Sequence, residues 1–375
     1  MAGIYLHIPF CKQACNYCDF HFSTSMKMKV HFVQAIIQEI ELRKDVFANE
    51  FISSVYFGGG TPSLLSKQDL DSIFEKLYKS FKIDADAEIT LEANPDDLTF
   101  EKIQQLKDSP VNRLSIGVQS FRDEDLKYMN RAHNAIEALN SIKMAQDEGF
   151  QNITIDLIYG TPGMSNEDWK YNLRKSFALN LPHISSYALT VEEKTPLYYQ
   201  ILKKNIGPID EQQSADQFKI LMDEMLINGY EQYEISNFCK GNLYGKHNSS
   251  YWKKDYYLGL GPSAHSYFGN SRLWNISNNI KYIKALFQSQ LPLVKESLNT
   301  QEMYNEYVMT SLRTKWGCSL IEIEKDYSRS YLNYFKVQIK GHEMNGYIIE
   351  NKGVYTLSEK GKLIADRITS DLFVI

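Results

Sequence analysis

Hydrophobic and polar positions along the first half of the chain follow two rhythms that take turns. Short runs rich in β-branched and aromatic residues read as strands: Ile4 to Ile8, Phe51 to Phe57, Glu88 to Ala93, Val111 to Val118, Asn152 to Ile158 and His183 to Leu189. Segments with helical spacing lie between them. Lys27 to Lys44 carries Val30, Phe32, Val33, Ile36, Ile37, Ile40 and Leu42 at that spacing. Further helices are expected from Lys67 to Lys79, after the turn at Asn94-Pro-Asp-Asp, after Phe121, and from Ala135 to Glu148. Alternating strands and helices predict an α/β fold with a parallel sheet and right-handed crossovers. Six such units predict an incomplete (β/α)6 barrel, with ligand-binding groups at the carboxyl ends of its strands.

Beyond about residue 200 the alternation stops. Ala215 to Asn228 reads as one amphipathic helix, and the Gly-, Asn- and Tyr-rich stretch from Gly229 to Asn279 as loop-rich and irregular. Helices are expected around Tyr304 to Leu312, Leu320 to Asp326 and Tyr331 to Glu343. A hairpin about Asn351-Lys-Gly353 and a last helix from Ser358 to Ser370 follow. That order resembles a winged-helix module. The expected division is residues 1–210 for the partial barrel, 211–300 for a linking region and 301–375 for the C-terminal module.

Candidate chemistry is concentrated at the start. Cys11, Cys15 and Cys18 stand at C-x3-C-x2-C spacing directly after the first strand, close enough for one loop to wrap an iron-sulfur cube. A 4Fe-4S cluster is ordinarily held by four thiolates, so three leave one iron open. S-adenosylmethionine can chelate such an iron through its amino and carboxylate groups and accept an electron at its sulfonium. A zinc site completed by His21 is the alternative, although its spacing differs from the usual paired cysteines and histidines. A disulfide is disfavoured, because the five cysteines are odd in number and Met1-Ala-Gly leads straight into a strand without a secretory signal. The expected compartment is the reducing cytoplasm.

Residues at the strand ends suit a polar ligand. Gly58, Gly59 and Gly60 follow the second strand and permit close backbone approach, or form only a tight turn. Glu92 ends the third strand, Gln119 follows the fourth, Arg131 follows the next helix and Asp156 lies on the fifth. Together they offer carboxylates for an ammonium and for ribose hydroxyls, and a guanidinium for a carboxylate. Singly, each also reads as a solvated or salt-bridged group.

Composition narrows the classes. At 375 residues and 43% hydrophobic, the chain can bury a sizeable core and a second domain. No apolar run approaches the ~20 residues of a spanning helix, and no basic amphipathic segment announces a membrane surface. A net charge of −5, from 41 basic and 46 acidic residues, gives no argument for nucleic acid, and the C-terminal module has no Arg/Lys-rich recognition helix. A docking or packing role is expected for it.

Tyr5-Leu-His-Ile-Pro-Phe-Cys11, Gly58-Gly-Gly-Thr-Pro62, Gly117-Val-Gln-Ser-Phe121, Asp156-Leu-Ile-Tyr-Gly160 and Gly261-Pro-Ser-Ala-His-Ser-Tyr267 carry a more specific resemblance. They are similar to the radical S-adenosylmethionine family that contains oxygen-independent coproporphyrinogen III dehydrogenase (HemN) and the heme chaperone HemW. The resemblance implies that Cys11, Cys15 and Cys18 ligate a 4Fe-4S cluster. It also implies that Tyr5, Gly59, Gly60, Thr61, Glu92, Gln119, Arg131 and Asp156 line an S-adenosylmethionine site, with Tyr17 against the adenine. Tyr17 otherwise reads as a ring packed under the loop. The dehydrogenase pattern has a further cysteine where this chain has Phe20, and a longer arm than the ten residues before Cys11. Both departures point to the chaperone branch.

Lys246-His-Asn-Ser-Ser-Tyr-Trp252 contains the H-N-x-x-Y-W signature that the resemblance ties to heme. A neutral His247 imidazole can coordinate heme iron, with Tyr251 and Trp252 as flat apolar area; buried core packing is the other reading. His265 and Cys239 are the competing ligands, and His7 reads as a packed strand residue. The function expected is a heme chaperone delivering heme to acceptor hemoproteins, with cluster and cofactor supporting transfer and radical chemistry not required. The alternative is a coproporphyrinogen III dehydrogenase or another radical oxidoreductase; a DNA-binding regulator with an iron-sulfur sensor ranks behind both. A homodimer and peripheral membrane contact stay open.

Overall fold

In the computed structural model, which describes residues 2–375, the barrel strands alternate more strictly than buried parallel strands usually do. The strands are β1 (Ala2–Ile8), β2 (Phe51–Gly59), β3 (Lys82–Ala93), β4 (Arg113–Gln119), β5 (Ile153–Tyr159) and β6 (His183–Ala188). Their outward residues are apolar and fully covered, among them Ile4, Leu6, Val55, Phe57, Leu91, Leu114, Ile116, Ile155 and Ile184. Their inward residues are polar or small: Gly3 and Tyr5, Ser54 and Tyr56, Glu88 and Glu92, Arg113 and Ser115, Thr154 and Asp156, His183 and Ser185. The lumen is therefore a hydrophilic space, in contrast to barrels filled by layers of Val, Ile and Leu.

The outer shell consists of α1 (Lys29–Leu42), α2 (Lys67–Ser80), α3 (Phe100–Lys107), α4 (Asp123–Tyr128), α5 (Ala135–Asp147), α6 (Asn166–Ala178) and α7 (Pro196–Leu202). Their starts are fixed locally. Ser66, Asn134 and Ser165 each form a reciprocal capping box with the acidic residue three positions on. All six strands are parallel and run in sequence order, and β1 does not pair with β6, so the (β/α)6 barrel is incomplete as expected.

The stretch expected to be irregular is instead regular and extends both ends of the sheet. After α8 (Glu211–Ile227), β8 (Asn237–Cys239) pairs antiparallel with β6, and β7 (Glu231–Glu234) pairs antiparallel with β8 at the edge. The chain then crosses through α9 (Lys246–Trp252) to β9 (Tyr256–Leu260), which pairs parallel with β1. β10 (His265–Tyr267), β11 (Ser271–Asn275), α10 (Asn279–Phe287) and β12 (Leu293–Ser297) complete a sheet of twelve strands. Strands of three to five residues rich in Tyr, Gly and Asn give little periodicity, and cross-strand pairing overrides that weak local preference.

The C-terminal region has its own core around Tyr304, Val308, Leu312, Phe335 and Ile368. Its elements are α11 (Thr300–Leu312), β13 (Cys318–Ser319), α12 (Leu320–Tyr327), α13 (Arg329–Met344), β14 (Ile348–Asn351), β15 (Val354–Leu357), α14 (Glu359–Lys362) and α15 (Ala365–Asp371). The helix and hairpin order is the one read from the sequence; β13, which pairs with β15, is an addition. The single last helix expected from Ser358 to Ser370 is broken. A Cβ on Gly361 would lie 2.0 Å from the Tyr347 carbonyl oxygen, so this close approach sets the path of the chain there.

One buried carboxylate fastens the added strands to the barrel. Glu39 on α1 is fully buried and accepts from Asn275 Nδ2 at 2.8 Å, the Gly261 amide at 2.8 Å and Tyr282 Oη at 2.5 Å, with Arg43 Nη1 at 3.5 Å. Arg43 in turn donates to the Gly259 carbonyl at 2.9 Å and to Ser266 Oγ at 3.2 Å. Glu39→Ala is expected to cost about 3–5 kcal/mol, because it leaves the Arg43 charge buried without its partner. Denaturant unfolding would measure the loss, and hydrogen exchange would place it in residues 256–287.

Candidate functional site

The cysteine loop is built before any ligand is considered. Phe10 is buried and meets Phe32 edge-on at 5.4 Å, anchoring the loop's first residue. The Cys11 amide donates to the Ser23 carbonyl at 3.1 Å, and the Ser23 amide to the Pro9 carbonyl at 2.9 Å, closing the loop at its base. Its far side is held by the segment after α4: the Asn16 amide donates to Met129 O at 3.1 Å, Asn16 Nδ2 to Tyr128 O at 2.7 Å, and Asn130 Nδ2 to Ala14 O at 2.7 Å. Cys11, Cys15 and Cys18 are all free thiols and half-buried. Phe20 is exposed.

The three glycines divide their work. The Gly60 amide donates to Ile8 O at 2.9 Å, and a Cβ there would lie 2.6 Å from the Phe10 carbonyl oxygen. Gly59 has φ +103° and sits against the His7 ring, where a Cβ would come within 2.6 Å. Gly58 faces the lumen between Tyr5, Tyr56 and Glu92. The run is thus a close-approach device under the cysteine loop, and the Gly60 amide is already used within the fold. His7 is a buried strand residue, as expected, with Nε2 2.8 Å from His21 O.

Glu92, Gln119, Arg131, Asp156 and Thr61 meet around the mouth of the barrel. Arg131 Nη1 lies 3.2 Å from Cys15 Sγ, while Nη2 donates to Asn94 Oδ1 at 2.6 Å and to Gly117 O at 2.9 Å. Its Nε is buried without a partner. Asn94 also donates to Thr61 Oγ1 at 3.2 Å. Gln119 has φ +66°, a left-handed conformation that a non-glycine residue seldom takes, at a bulge that turns its amide across Gly117 towards Arg131. Burial, with the Asp156 carboxylate nearby, pushes Glu92 up to about 7, against the hydrogen bond from Tyr56 Oη at 2.8 Å. Burial likewise pushes Asp156 up to about 6.

Tyr5 stacks on Tyr56 at 6.1 Å. Tyr17 packs among Leu126, Met129, Ile158 and Leu189, which supports the packed-ring reading at least as well as the adenine one.

Arg131, Glu92 and Asp156 have donor and acceptor chemistry compatible with the ligand they were expected to meet. A buried guanidinium nitrogen without a partner suits a ligand carboxylate, and two carboxyls that burial holds partly protonated would ionise against a ligand ammonium. Among the described residues, no three His, Cys, Asp or Glu side chains converge as a site for one metal ion.

The H-N-x-x-Y-W histidine lies below this site. His247 is 2% exposed, with Nδ1 2.9 Å from Ser54 Oγ and Nε2 2.9 Å from Tyr251 Oη. Its ring stacks on Tyr56 at 5.1 Å, so one tyrosine touches both Glu92 and His247. Burial lowers its pKa to about 3, which keeps the imidazole neutral. His265 is exposed and stacks on Trp274 at 5.8 Å. Cys239 is fully buried in β8.

Sequence reasoning missed Tyr56, Asn94, Glu88 and Arg113. Glu88 accepts from the Lys246 and His247 amides, each at 3.0 Å, and lies 3.7 Å from Arg113 Nε. Ser54, Tyr56 and Gly58 share one face of β2, as Glu88 and Glu92 share one face of β3. That period of two was the signal available.

A barrel whose lumen is polar and whose mouth is covered by a three-cysteine loop defines a class, and residues 5–175 match the model of the Radical SAM superfamily. That superfamily implies a 4Fe-4S cluster and S-adenosylmethionine. Beyond the barrel, the chain is similar along almost its whole length to proteins named heme chaperone HemW. Identity is 33% over 372 residues with that of Bacillus subtilis (strain 168), covering 98% of each chain. It is 34% over 335 residues with that of Lactococcus lactis subsp. lactis (strain IL1403), covering 89% of this chain and 87% of the other. With that of Escherichia coli (strain K12) it is 30% over 373 residues, covering 98% and 96%. The chain belongs to the HemW family. Among solved structures, coproporphyrinogen III oxidase (HemN) from Escherichia coli matches with a TM-score of 0.86 at 23% identity, over 100% of this chain and 90% of that one, which bears on the fold.

Glu92 supplies a pH test on the cluster-free chain. Its folded pKa of about 7 lies above its ordinary 4.5, so the folded state holds the proton more tightly. Its contribution to stability is therefore full below about pH 4.5 and is lost as pH rises through about 7. Glu92→Gln is expected to gain stability over the wild type at pH 8 relative to pH 5, measured by denaturant unfolding at the two pH values.

Proposed function

We propose that this protein binds heme and delivers it to acceptor hemoproteins, and that it carries a 4Fe-4S cluster and S-adenosylmethionine. The observation that carries the reading is the similarity to HemW proteins over 98% of the chain, including the H-N-x-x-Y-W helix that lies outside the superfamily match. Cys11, Cys15 and Cys18 would hold the cluster, with the Arg131 guanidinium against the Cys15 sulfur. Glu92 would accept from the cofactor's ammonium, Arg131 Nε would donate to its carboxylate, and Asp156 and Gln119 would take the ribose hydroxyls. Tyr5, Gly59, Gly60 and Thr61 would line the pocket, with Tyr17 beside the adenine. When bound, the cluster supplies an electron for the sulfonium; heme delivery does not depend on that step.

His247 is the proposed heme ligand. Both its nitrogens are engaged in the seated helix, so coordination requires α9 to leave the lumen. His265, exposed on the face of Trp274, needs no such movement and is the competitor; Cys239 is covered by the sheet. The cytoplasm is the proposed compartment. No described helix is long and apolar enough to cross a membrane, and delivery to membrane hemoproteins would then use peripheral contact. A homodimer is compatible with this role, and nucleic acid has no part in it.

A second reading, a radical oxidoreductase of the coproporphyrinogen dehydrogenase type, draws on the complete set of polar groups at the mouth. It predicts 5'-deoxyadenosine formation coupled to substrate loss without oxygen. The deciding experiment is an anaerobic optical titration of the cluster-reconstituted chain with heme, beside His247→Ala and His265→Ala. Saturable binding weakened about tenfold or more by His247→Ala, a loss of at least ~1.4 kcal/mol, is expected. Equal weakening by His265→Ala alone would transfer the ligand role. Absence of saturable binding would overturn the chaperone reading.

A further inference from the structure

The helix that carries His247 is gripped at both ends, and the two grips belong to different parts of the fold. At its start, the Glu88 carboxylate of β3 takes the Lys246 and His247 amides. At its end, Lys253 Nζ lies 4.3 Å over the Trp316 ring, and Lys254 Nζ lies 4.2 Å over Tyr307 and 4.9 Å over Tyr327. Lys254 also hydrogen-bonds the Tyr327 hydroxyl. Trp316 and both tyrosines belong to the C-terminal region, where Tyr307 and Tyr327 are part of the separate core.

The backbone turns left-handed at this point. Lys254 has φ +57°, just past the end of α9, where glycine is the ordinary residue. Burial pushes the Lys254 ammonium down to about 8, and the Glu306, Asp326 and Glu322 carboxylates act against that shift, so the rings and the nearby negative charge together keep it cationic at neutral pH.

From this arrangement we infer that the C-terminal region is a latch on the His247 helix, with Lys254 as the positioning residue. Resting on the assignment of His247 as heme ligand, the inference adds what controls access to it. While Lys254 occupies the Tyr307–Tyr327 box, α9 stays in the lumen and His247 keeps both its internal partners. When Lys254 leaves the box, the Lys253–Trp316 contact and the barrel-side bonds are what retain the helix, and the imidazole becomes more readily available to iron. Binding through a sparsely populated open form lowers apparent affinity by the open fraction. Loosening the latch therefore raises the rate of heme capture.

The test uses the full, cluster-reconstituted chain and the Lys254→Met variant, which keeps the apolar stem and removes the charge. Hydrogen exchange of amides 246–252 and stopped-flow heme association are both read. About tenfold faster exchange and association are expected, the size of a partly desolvated cation–π contact, with β1–β6 amides unchanged. Lys254→Arg should restore both towards wild type, and Lys253→Met, which empties only the Trp316 face, should shift both in the same direction by less. Unchanged exchange at 246–252 in both methionine variants would overturn the latch. So would faster exchange with unchanged association while His247→Ala still abolishes binding. If His247→Ala binds heme like the wild type, the ligand assignment fails, and the exchange result alone then judges the latch.

Discussion

The Glu88 carboxylate joins the barrel to the segment that follows it. It sits on the inward face of β3, beside Arg113, and takes two amides at the start of α9. A buried carboxylate persists only when its lone pairs are filled, so the inward face of the barrel and the helix determine each other. Around this joint the polar lining continues: Arg113 reaches Thr154, Thr154 meets His183 Nδ1 at 3.1 Å, and His183 Nε2 meets Tyr233 Oη at 2.8 Å. Tyr233 in turn receives the amide of Gly245, immediately before α9. The lumen floor is one hydrogen-bonded network in which a change at one member is felt by its neighbours.

Above that floor the same register serves the mouth. Because inward positions recur every second residue, Tyr56 stands between Ser54 and Gly58, and Glu92 lies two steps beyond Thr90. Tyr56 therefore reaches Glu92 with its hydroxyl and His247 with its ring. The proposed cofactor anchor and the proposed heme ligand are separated by one side chain. The triple glycine belongs to this logic too, since only residues without Cβ let β2 pass so close to Phe10 and His7.

Much of this was legible in the chain itself. Strand positions followed from β-branched runs, and the cysteine spacing singled out the loop. β3 begins earlier than expected, because Lys82-Ile-Asp-Ala-Asp-Ala has weak strand character and is drawn in by pairing with Phe51 and Ile52. The strands after residue 229 were missed for a similar reason. His247 was legible as a motif, whereas its seat was not: Ser54 and Glu88, the residues that fix it, are far away in sequence. Lys254 carried no signal at all, since an aromatic box assembled from Tyr307 and Tyr327 exists only after the two cores have packed.

The path of α9 has a mechanical meaning. The helix links β8, beyond one edge of the open barrel, to β9, beyond the other, so it is a short bridge across the gap that β1 and β6 leave unclosed. A bridge anchored at both ends in one sheet cannot carry its histidine far. Displaced from the lumen, His247 would remain confined near the rim, where tethering keeps its effective concentration high. Recapture by the lumen would then compete continually with whatever the imidazole holds. Such a tether favours passing cargo on over storing it.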